Sequence, residues 1–449
     1  MHVVIIGNGI SGITCARHIR KNGNHDITVI SYESNHFYSR TALMYIYMGH
    51  MRYQDTKPYE DWFWEKNRID LVYGKVVQVQ PESKQIQLSD GSKMAYDKLV
   101  IATGSSSNKF NWPGQDLPGV QGLYGLQDLE MMNDHTKNIE RAVVIGGGLI
   151  GIEMAEMLLS RAIPVTMLVR ESSFWNNVLP AEESEMINNH IRKHHIDLRL
   201  SSELKEIKAG SDGKVGAVIT TEGETINCQF VGLTVGVHPN IEFIKSSAIE
   251  TNKGVLVNTY FETNIKDIYA IGDCAEFKDP LPGRKAIEQV WYTGKMHGAS
   301  LAQIICGNKM PYQPGYWFNS AKFLDIEYQT YGTVPAKKVD SQSDFYWEHS
   351  SHEKSIRLVY DQESKRFLGA NLFGLRYRHH LFNQFLEEER DIKYVIEHLP
   401  AANFDPEFYD QYEYFLKEAF NKRYPENRIQ EKVASGLKSF FKIFKPSEA

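Results

Sequence analysis

The chain has 449 residues, of which 42% are hydrophobic and 24% are charged, and its formal net charge is −6 at pH 7. This length allows two or three domains, and a negative charge without a long basic run argues against nucleic acid as the main partner. The first apolar run begins at residue 3 and no run of 18 apolar residues follows. We therefore expect neither a signal segment nor a membrane span, and a cytoplasmic protein.

A glycine fingerprint occupies residues 7–12, in the sequence Gly7-Asn8-Gly9-Ile10-Ser11-Gly12. An apolar strand pattern over residues 3–6 precedes it and a helical pattern over residues 13–21 follows it. This strand, glycine turn and helix predict a cradle for the pyrophosphate of a dinucleotide. Glu33 comes just after the second predicted strand and about twenty residues past Gly12. A carboxylate at this position would hold both hydroxyls of an adenosine ribose.

The next segment, from Leu71 to Ile101, alternates between apolar and polar residues and predicts a small antiparallel meander. It ends at Ala102-Thr103-Gly104-Ser105, and Pro-Gly pairs at residues 113–114 and 118–119 mark a boundary. A second fingerprint then follows an apolar run at residues 142–145, in the sequence Gly146-Gly147-Gly148-Leu149-Ile150-Gly151. Two cradles in one chain predict two bound dinucleotides.

A second meander is predicted from Leu198 to Thr234, followed by a turn that contains Gly236. Further on, an apolar strand leads into Gly272-Asp273. We expect two Rossmann-like dinucleotide-binding domains and a C-terminal α+β domain. The first would comprise residues 1–112 and 241–315, the second residues 113–240, and the C-terminal domain residues 316–449.

The end of the chain has an amphipathic basic pattern over residues 436–449. Leu437, Phe440, Phe441 and Phe444 share one face, and lysines occupy other positions around the turn. Such a helix could lie on the inner face of an anionic membrane, dock onto a partner, or pack its aromatic face on its parent domain, as most amphipathic helices do.

Four cysteines are present, Cys15, Cys228, Cys274 and Cys306, and no two of them have the spacing of a redox dithiol or a disulfide framework. We also expect no metal site. If the protein carries out redox chemistry, its redox group must therefore come from outside the chain.

Motif by motif, residues 1 to about 315 resemble the two-dinucleotide flavoprotein reductases. This family includes glutathione reductase, rubredoxin and ferredoxin reductases, and the flavoprotein part of assimilatory nitrite reductase. The resemblance implies that FAD is held by Gly7, Gly9, Ile10, Ser11, Gly12, Glu33, Arg40, Ala102, Thr103, Gly104, Gly272 and Asp273. It implies that NAD(P)H is held by Gly146, Gly148, Leu149, Ile150, Gly151, Glu153, Arg170 and Gly236.

Two of these residues have open roles. Glu153 matches a glutamate near the two reacting rings in several relatives, and it could equally be a carboxylate stabilised by the helix dipole. Arg170 falls where NADPH-using relatives place an arginine, but Glu171 would repel a 2′-phosphate. The choice between NADH and NADPH therefore stays open.

Thr41 stands where relatives with thiol chemistry carry a redox cysteine, and the Tyr38 and Arg40 pattern instead resembles ferredoxin and rubredoxin reductases. Because threonine forms no thiolate, a dithiol relay and a cysteine peroxidase are both disfavoured. The C-terminal part also lacks the family's His-Pro proton donor, for which His398 is a weak substitute. Within this resemblance a helix is expected from about Ala286 to Ile305, with Trp291 more readily interpreted as a core residue than as a neighbour of the flavin.

These expectations lead to an FAD-dependent NAD(P)H:acceptor oxidoreductase whose electrons pass to an external protein carrier of the rubredoxin, ferredoxin or iron–sulfur type. A membrane-associated quinone reductase is the second hypothesis, supported by the basic tail. A flavin-binding signalling or scaffold protein is an alternative of another class. The sequence leaves a homodimer open.

Overall fold

A computed structural model of the protein describes residues 1–405, 407–408 and 410–429. The amphipathic helix predicted over residues 436–449 therefore lies outside the described residues. Among the helices of the described ranges, none combines the length and the apolar character needed to cross a membrane.

The first glycine fingerprint follows the central strand of a five-stranded parallel sheet. In spatial order, the strands are Ile268–Ala270, Lys98–Ile101, His2–Ile6, Asp26–Ser31 and Ile69–Tyr73. The central strand is buried from Val3 to Ile6, as expected when layers cover both faces of a parallel sheet. The glycine turn therefore opens where the carboxyl ends of the strands meet, which is where open α/β sheets bind ligands.

Helices Ile10–Asn22 and Trp291–Ile305 pack side by side next to this sheet. Their close approach depends on Gly298, where a Cβ atom would lie 2.4 Å from the backbone oxygen of Ser11. The predicted end of the second helix is correct, but its predicted start near Ala286 is wrong. Val290 adopts an extended conformation (φ −134°, ψ 136°), so the helix begins only at Trp291.

Each dinucleotide-binding unit also carries a three-stranded antiparallel sheet. The strands are Val76–Gln80, Gln85–Leu88 and Lys93–Ala95 in the first unit, and Leu204–Ala209, Val215–Thr220 and Thr225–Asn227 in the second. Both predicted meanders are therefore too long, because the strands that flank them belong to the parallel sheets. Alternation within a short strand shows which residues are buried, but it does not identify the neighbouring strand.

The second fingerprint follows the central strand of another five-stranded parallel sheet. Its strands, in spatial order, are Asp197–Leu200, Val165–Val169, Ala142–Ile145, Phe230–Leu233 and Val120–Gln121. The helices of this unit are Leu126–His135, Leu149–Leu159 and Ala181–Lys193. The same architecture therefore occurs twice, and the predicted pair of Rossmann-like units is confirmed.

The C-terminal part is an antiparallel sheet with helices, and the predicted α+β class is confirmed. The strands, in spatial order, are Phe318–Phe323, Ile326–Gly332, Phe367–Phe373, Ser355–Asp361 and Gln342–Glu348, and the helices are His379–Glu387, Ile392–Ala402 and Glu413–Arg423. Phe323, Tyr328 and Phe373 share a hydrophobic core with Phe174 and Met186 of the second unit. The C-terminal sheet is thus packed directly on the second dinucleotide-binding unit.

Shorter elements connect these layers. Strand Ser105–Ser107 pairs antiparallel with Val237–Pro239, and Val255–Val257 pairs parallel with Ala275–Phe277. Short α-helices cover Leu43–Tyr47 and Trp62–Lys66, and 3-10 turns cover Arg40–Ala42, Tyr53–Thr56, Glu242–Ile244, Gly272–Cys274 and Pro425–Asn427. The predicted domain boundaries near residues 112, 240 and 315 stay a prediction.

Candidate functional site

A cavity of about 1360 Å³ lies between the first glycine turn and the second unit. It is larger than the roughly 300–1,000 Å³ of a typical small-molecule site. Its walls include the first fingerprint, Arg40, Asp273 and Trp291, together with Glu153 from the helix of the second fingerprint. One cavity therefore brings together residues from both predicted cradles.

The three glycines of the first fingerprint have three different physical roles. Gly7 has φ +113°, and a Cβ atom there would lie 2.1 Å from the carbonyl oxygen of Ala102. A Cβ atom at Gly12 would lie 2.1 Å from the carbonyl oxygen of Gly7, so the third glycine lets the helix pack on the turn. No atom lies within 4 Å of a Cβ built on Gly9. That open space, at a helix N-terminus without a side-chain cap, fits a pyrophosphate group.

The second fingerprint repeats this arrangement. Gly146 has φ +117° with a Cβ position 2.5 Å from the oxygen of Thr234, and a Cβ at Gly151 would lie 2.6 Å from the oxygen of Gly146. The space around Gly148 is open, and the helix that begins at Leu149 has no side-chain cap. This turn therefore fits a second pyrophosphate in the same way.

Glu33 faces the cavity and is held in place by Arg40. Two guanidinium N–H groups donate to its carboxylate, from Nη1 to Oε1 at 2.8 Å and from Nη2 to Oε2 at 2.6 Å. The hydroxyl of Tyr38 and the backbone N–H of Leu126 also donate to Oε1. Burial raises the pKa of Glu33, but the charge of Arg40 and these hydrogen bonds outweigh it and hold the pKa below its usual range. The carboxylate is thus ionised and can accept hydrogen bonds from ribose hydroxyls, and that role stays a prediction.

Asp273 lies at the centre of a hydrogen-bonded group that the sequence did not predict. The hydroxyls of Tyr124 and Ser105 donate to its Oδ2 atom at 3.1 and 3.2 Å, and the amide of Gln289 donates to the Ser105 hydroxyl at 2.9 Å. Burial raises the pKa of Asp273 despite these two hydrogen bonds. Such a set of alternating donors and acceptors on a cavity wall suits a ligand with several hydroxyl groups, as the ribityl chain of FAD has.

The crossover stretch joins the two units beside this group. The Thr103 hydroxyl donates to the carbonyl of Asn240 at 2.7 Å, and the backbone N–H of Asn240 donates to Gly104 at 2.9 Å. Ala102 and Gly104 line the cavity with Thr103, and Gly272 packs against Ser11. The predicted FAD residues are therefore brought together, and their contacts with FAD stay a prediction.

The cavity wall has no thiol. Thr41 lines the cavity and is exposed, whereas all four cysteines lie in the described part of the chain and none of them lines it. Burial raises the pKa of the Cys228 thiol to about 12 and also raises that of Cys274 beside Asp273. These thiols are poor nucleophiles, because the thiolate is the reactive form.

The position of Trp291 differs from the one expected from the sequence. It is only partly buried and lines the cavity at the N-terminal end of its helix, so its interpretation as a core residue is wrong. The helix dipole therefore directs its positive end at the cavity.

Glu153 also faces the cavity. It lies beyond the first turn of its helix, so the helix-dipole interpretation of this residue is wrong. Burial raises its pKa to about 7, the charge of Glu156 adds to this rise, and Lys322 opposes it. Lys322 instead pairs with Glu156, its Nζ atom lying 2.6 Å from Oε1. Glu153 is thus a carboxyl that can bind or release a proton near neutral pH.

Five residues predicted to hold NAD(P)H lie outside the cavity wall, namely Gly146, Gly148, Gly151, Arg170 and Gly236. Arg170 is exposed and pairs with Glu171 at 3.0 Å. Gly236 has φ +89° and its carbonyl accepts a hydrogen bond from Asn108, so it belongs to the connection between the units. Their roles in binding NAD(P)H stay predictions.

His398, the weak candidate for a proton donor, has a structural environment. Its Nδ1 atom lies 2.7 Å from the carbonyl oxygen of Tyr394, and its ring stacks on the Tyr394 ring with the centroids 3.8 Å apart. It is not among the residues that line the cavity.

Sequence reasoning also missed Tyr124 and Ser105. Tyr124 lies in a loop after strand Val120–Gln121, where no local pattern marks it. Only the docking of the second unit on the first places its hydroxyl beside Asp273.

The sequence also matches a known protein family, and this match agrees with the geometry of the two glycine turns. The family described as pyridine nucleotide-disulphide oxidoreductase matches residues 1–298. The chain belongs to this family. The resemblance inferred from the two fingerprints is thereby confirmed.

Individual relatives cover different shares of the chain. The assimilatory nitrate reductase electron transfer subunit of Bacillus subtilis is 27% identical over 396 residues, which are 87% of this chain and 50% of that protein. The chain thus spans about half the length of this relative, and of a Bacillus subtilis nitrite reductase. The NADH-rubredoxin oxidoreductase of Clostridium acetobutylicum is 30% identical over 282 residues, 63% of this chain and 70% of that protein.

Among solved structures, the NAD-dependent persulfide reductase from A. fulgidus has a TM-score of 0.80 at 22% sequence identity. The match covers 94% of this chain and 84% of that one, and therefore includes much of the C-terminal sheet. It shows that a solved structure shares this fold over most of the chain, including much of the C-terminal part.

Proposed function

We propose that the protein is an FAD-dependent NAD(P)H:acceptor oxidoreductase that delivers electrons to an external protein carrier of the rubredoxin, ferredoxin or iron–sulfur type. The observation that carries the proposal is the repeated glycine geometry, with residues of both cradle helices on one cavity. When bound, the nicotinamide supplies a hydride, and the flavin accepts it and passes its electrons on singly or in pairs.

The chain itself would bind, orient and shield these groups. Backbone N–H groups after Gly9 and Gly148 would hold the two pyrophosphates. Asp273, with Ser105 and Tyr124, would fix the position of a polyol chain along the cavity wall. The positive end of the helix that begins at Trp291 would stabilise negative charge that develops in the cavity.

The proposed reaction uses no cysteine relay. A relay needs an accessible thiolate beside the reacting ring, and Thr41 occupies the exposed wall where relatives place one. We therefore propose that electrons leave the cavity directly for the external carrier. The printed names of relatives support this acceptor class, since they include an electron transfer subunit and an NADH-rubredoxin oxidoreductase.

NADH is the proposed donor in preference to NADPH. Glu171 lies 3.0 Å from Arg170, so its negative charge offsets the cation that a 2′-phosphate would need. The variant Glu171→Gln should therefore improve use of NADPH more than use of NADH. An unchanged ratio of the two kcat/KM values would contradict this preference.

The decisive test is anaerobic stopped-flow reduction of the FAD-loaded protein by NADH and by NADPH, followed by reoxidation. The acceptors in the second step would be a rubredoxin, a ferredoxin, a quinone and oxygen. We expect bleaching of the flavin absorbance by NADH and fast reoxidation by an iron–sulfur carrier. If neither nucleotide bleaches the flavin, the proposed activity is wrong, and if only the quinone reoxidises it, the proposed acceptor is wrong.

A further inference from the structure

Two histidines and an aspartate meet where the second dinucleotide-binding unit contacts the C-terminal sheet. His190 and His194 lie one turn apart at the end of helix Ala181–Lys193, and Asp325 lies in the turn after strand Phe318–Phe323. The centroids of the two imidazole rings are 4.6 Å apart. The Nε2 atoms of both rings contact the same Oδ1 atom of Asp325, at 3.2 Å in the case of His194.

We propose that His190, His194 and Asp325 form a zinc-binding site between the two units. Two imidazole nitrogens and one carboxylate oxygen are a ligand set that suits Zn²⁺, and a water molecule would complete four-coordination. The three ligand atoms lie within 4.8 Å of one another. A tetrahedral ion with bonds of about 2.1 Å needs them roughly 3.4 Å apart, so only small movements of side chains are required.

One of the three proposed ligands is buried and the other two are partly open to solvent, which suits a site that an ion must enter. The side chain of His190 is only 2% exposed and is fixed by packing, whereas His194 and Asp325 are 35% and 68% exposed. The exposed pair can rotate to adjust the bond lengths, and their open side leaves a path for the ion and room for its water.

The neighbouring charges are compatible with a cation. Lys193, which lies between the two histidines in sequence, pairs its ammonium group with the carboxylate of Glu353. Its charge is therefore offset by a carboxylate on the C-terminal part of the chain.

The position of the site gives the ion a structural role. Helix Ala181–Lys193 has 13 residues and is therefore about 20 Å long. At the N-terminal end, the guanidinium of Arg357 in the C-terminal sheet donates to the buried carboxylate of Glu183 at 2.7 Å. The proposed zinc site would fasten the other end of the same helix to the same sheet, away from the dinucleotide cavity.

The expectation of no metal site is the one that this proposal would overturn. The sequence does contain a signal, because histidines at i and i+4 share one face of a helix. The third ligand lies 131 residues after His194 and carries no comparable signal.

The test uses the full-length, FAD-loaded protein and Zn²⁺ alone. Zinc is added, excess is removed by dialysis, and the bound metal is counted per chain for wild type, His194→Ala, Asp325→Asn and His195→Asn. His195 is the matched control, because it adjoins the cluster without belonging to it. It also has φ +61°, a conformation that asparagine tolerates.

We expect one zinc per chain in wild type and in His195→Asn, and an affinity at least ~100-fold weaker in the other two variants. Cobalt bound at the same site should give the absorption spectrum of a four-coordinate ion in wild type and not in Asp325→Asn. Flavin content and thermal unfolding confirm that each variant is folded. The proposal is overturned if wild type retains no more zinc than a folded Asp325→Asn variant, which would leave the cluster as hydrogen bonds alone.

Discussion

The same small substitution in each glycine cradle can show which dinucleotide that cradle binds. Gly9 and Gly148 both precede their helices with backbone angles that alanine can adopt, φ −70° and ψ −177° for Gly9 and φ −116° and ψ −177° for Gly148. A methyl group at either position meets no protein atom within 4 Å. The substitutions Gly9→Ala and Gly148→Ala should therefore leave the fold intact and affect only what binds in the open space.

The two effects differ in size. Alanine is a poorer N-cap than glycine, so each variant should lose up to about 1 kcal/mol of folding stability. The added methyl group would overlap the pyrophosphate, and overpacking of this kind costs about 1–3 kcal/mol. Binding should therefore weaken by roughly 5- to 150-fold, at one cradle only in each variant.

The assay measures two affinities. Titration of the apoprotein with FAD gives the first, and the NADH dependence of flavin reduction gives the second. We expect Gly9→Ala to weaken FAD binding, and Gly148→Ala to bind FAD normally but to need more NADH for reduction. Thermal unfolding of both apoproteins is the control for folding.

Two results would refute this reasoning. If Gly148→Ala loses FAD as Gly9→Ala does, the assignment of the two cradles to different dinucleotides is wrong. If neither variant changes either affinity, the open space beside these glycines does not hold a pyrophosphate.

Three further predictions follow from burial and charge. Glu153 has its pKa raised from 4.5 to about 7 by burial, so the stability that its protonated form gives is present below pH 4.5 and is lost as the pH rises to 7. The variant Glu153→Gln should become more stable than wild type by on the order of 3 kcal/mol across that range, and parallel pH profiles of thermal unfolding would count against it. Arg357→Met should cost about 3–5 kcal/mol in denaturant unfolding because it leaves the carboxylate of Glu183 buried and uncompensated, and adding Glu183→Gln should restore most of the loss. Thr41→Cys should add one thiol that reacts rapidly with a disulfide reagent in the native protein, over a wild-type background in which Cys15, Cys228 and Cys274 are buried and Cys306 is partly buried, and no added reactivity would show that this wall is inaccessible.

The parts of the candidate site that are local in sequence could be predicted from the sequence. A strand, a glycine turn and a helix are contiguous, so the roles of Gly7, Gly9 and Gly12 follow from local backbone geometry and packing. The absence of a cysteine near Thr41 is equally a local fact.

The parts that depend on distant residues were predicted poorly. The burial that raises the pKa of Glu153 comes from packing that its helix pattern does not record. Trp291 was interpreted as a core residue because aromatic side chains are usually buried, and only the packing of its helix shows that it faces the cavity.

The sequence by itself determined that the chain has two dinucleotide cradles, belongs to a family that uses them and lacks the family's redox thiol. These features depend on which residues are present and on short-range geometry. The tertiary structure alone decided which side chains surround Asp273, and that His190 and His194 meet Asp325. Those contacts join residues more than 100 positions apart, and their geometry is set by how whole sheets and helices pack.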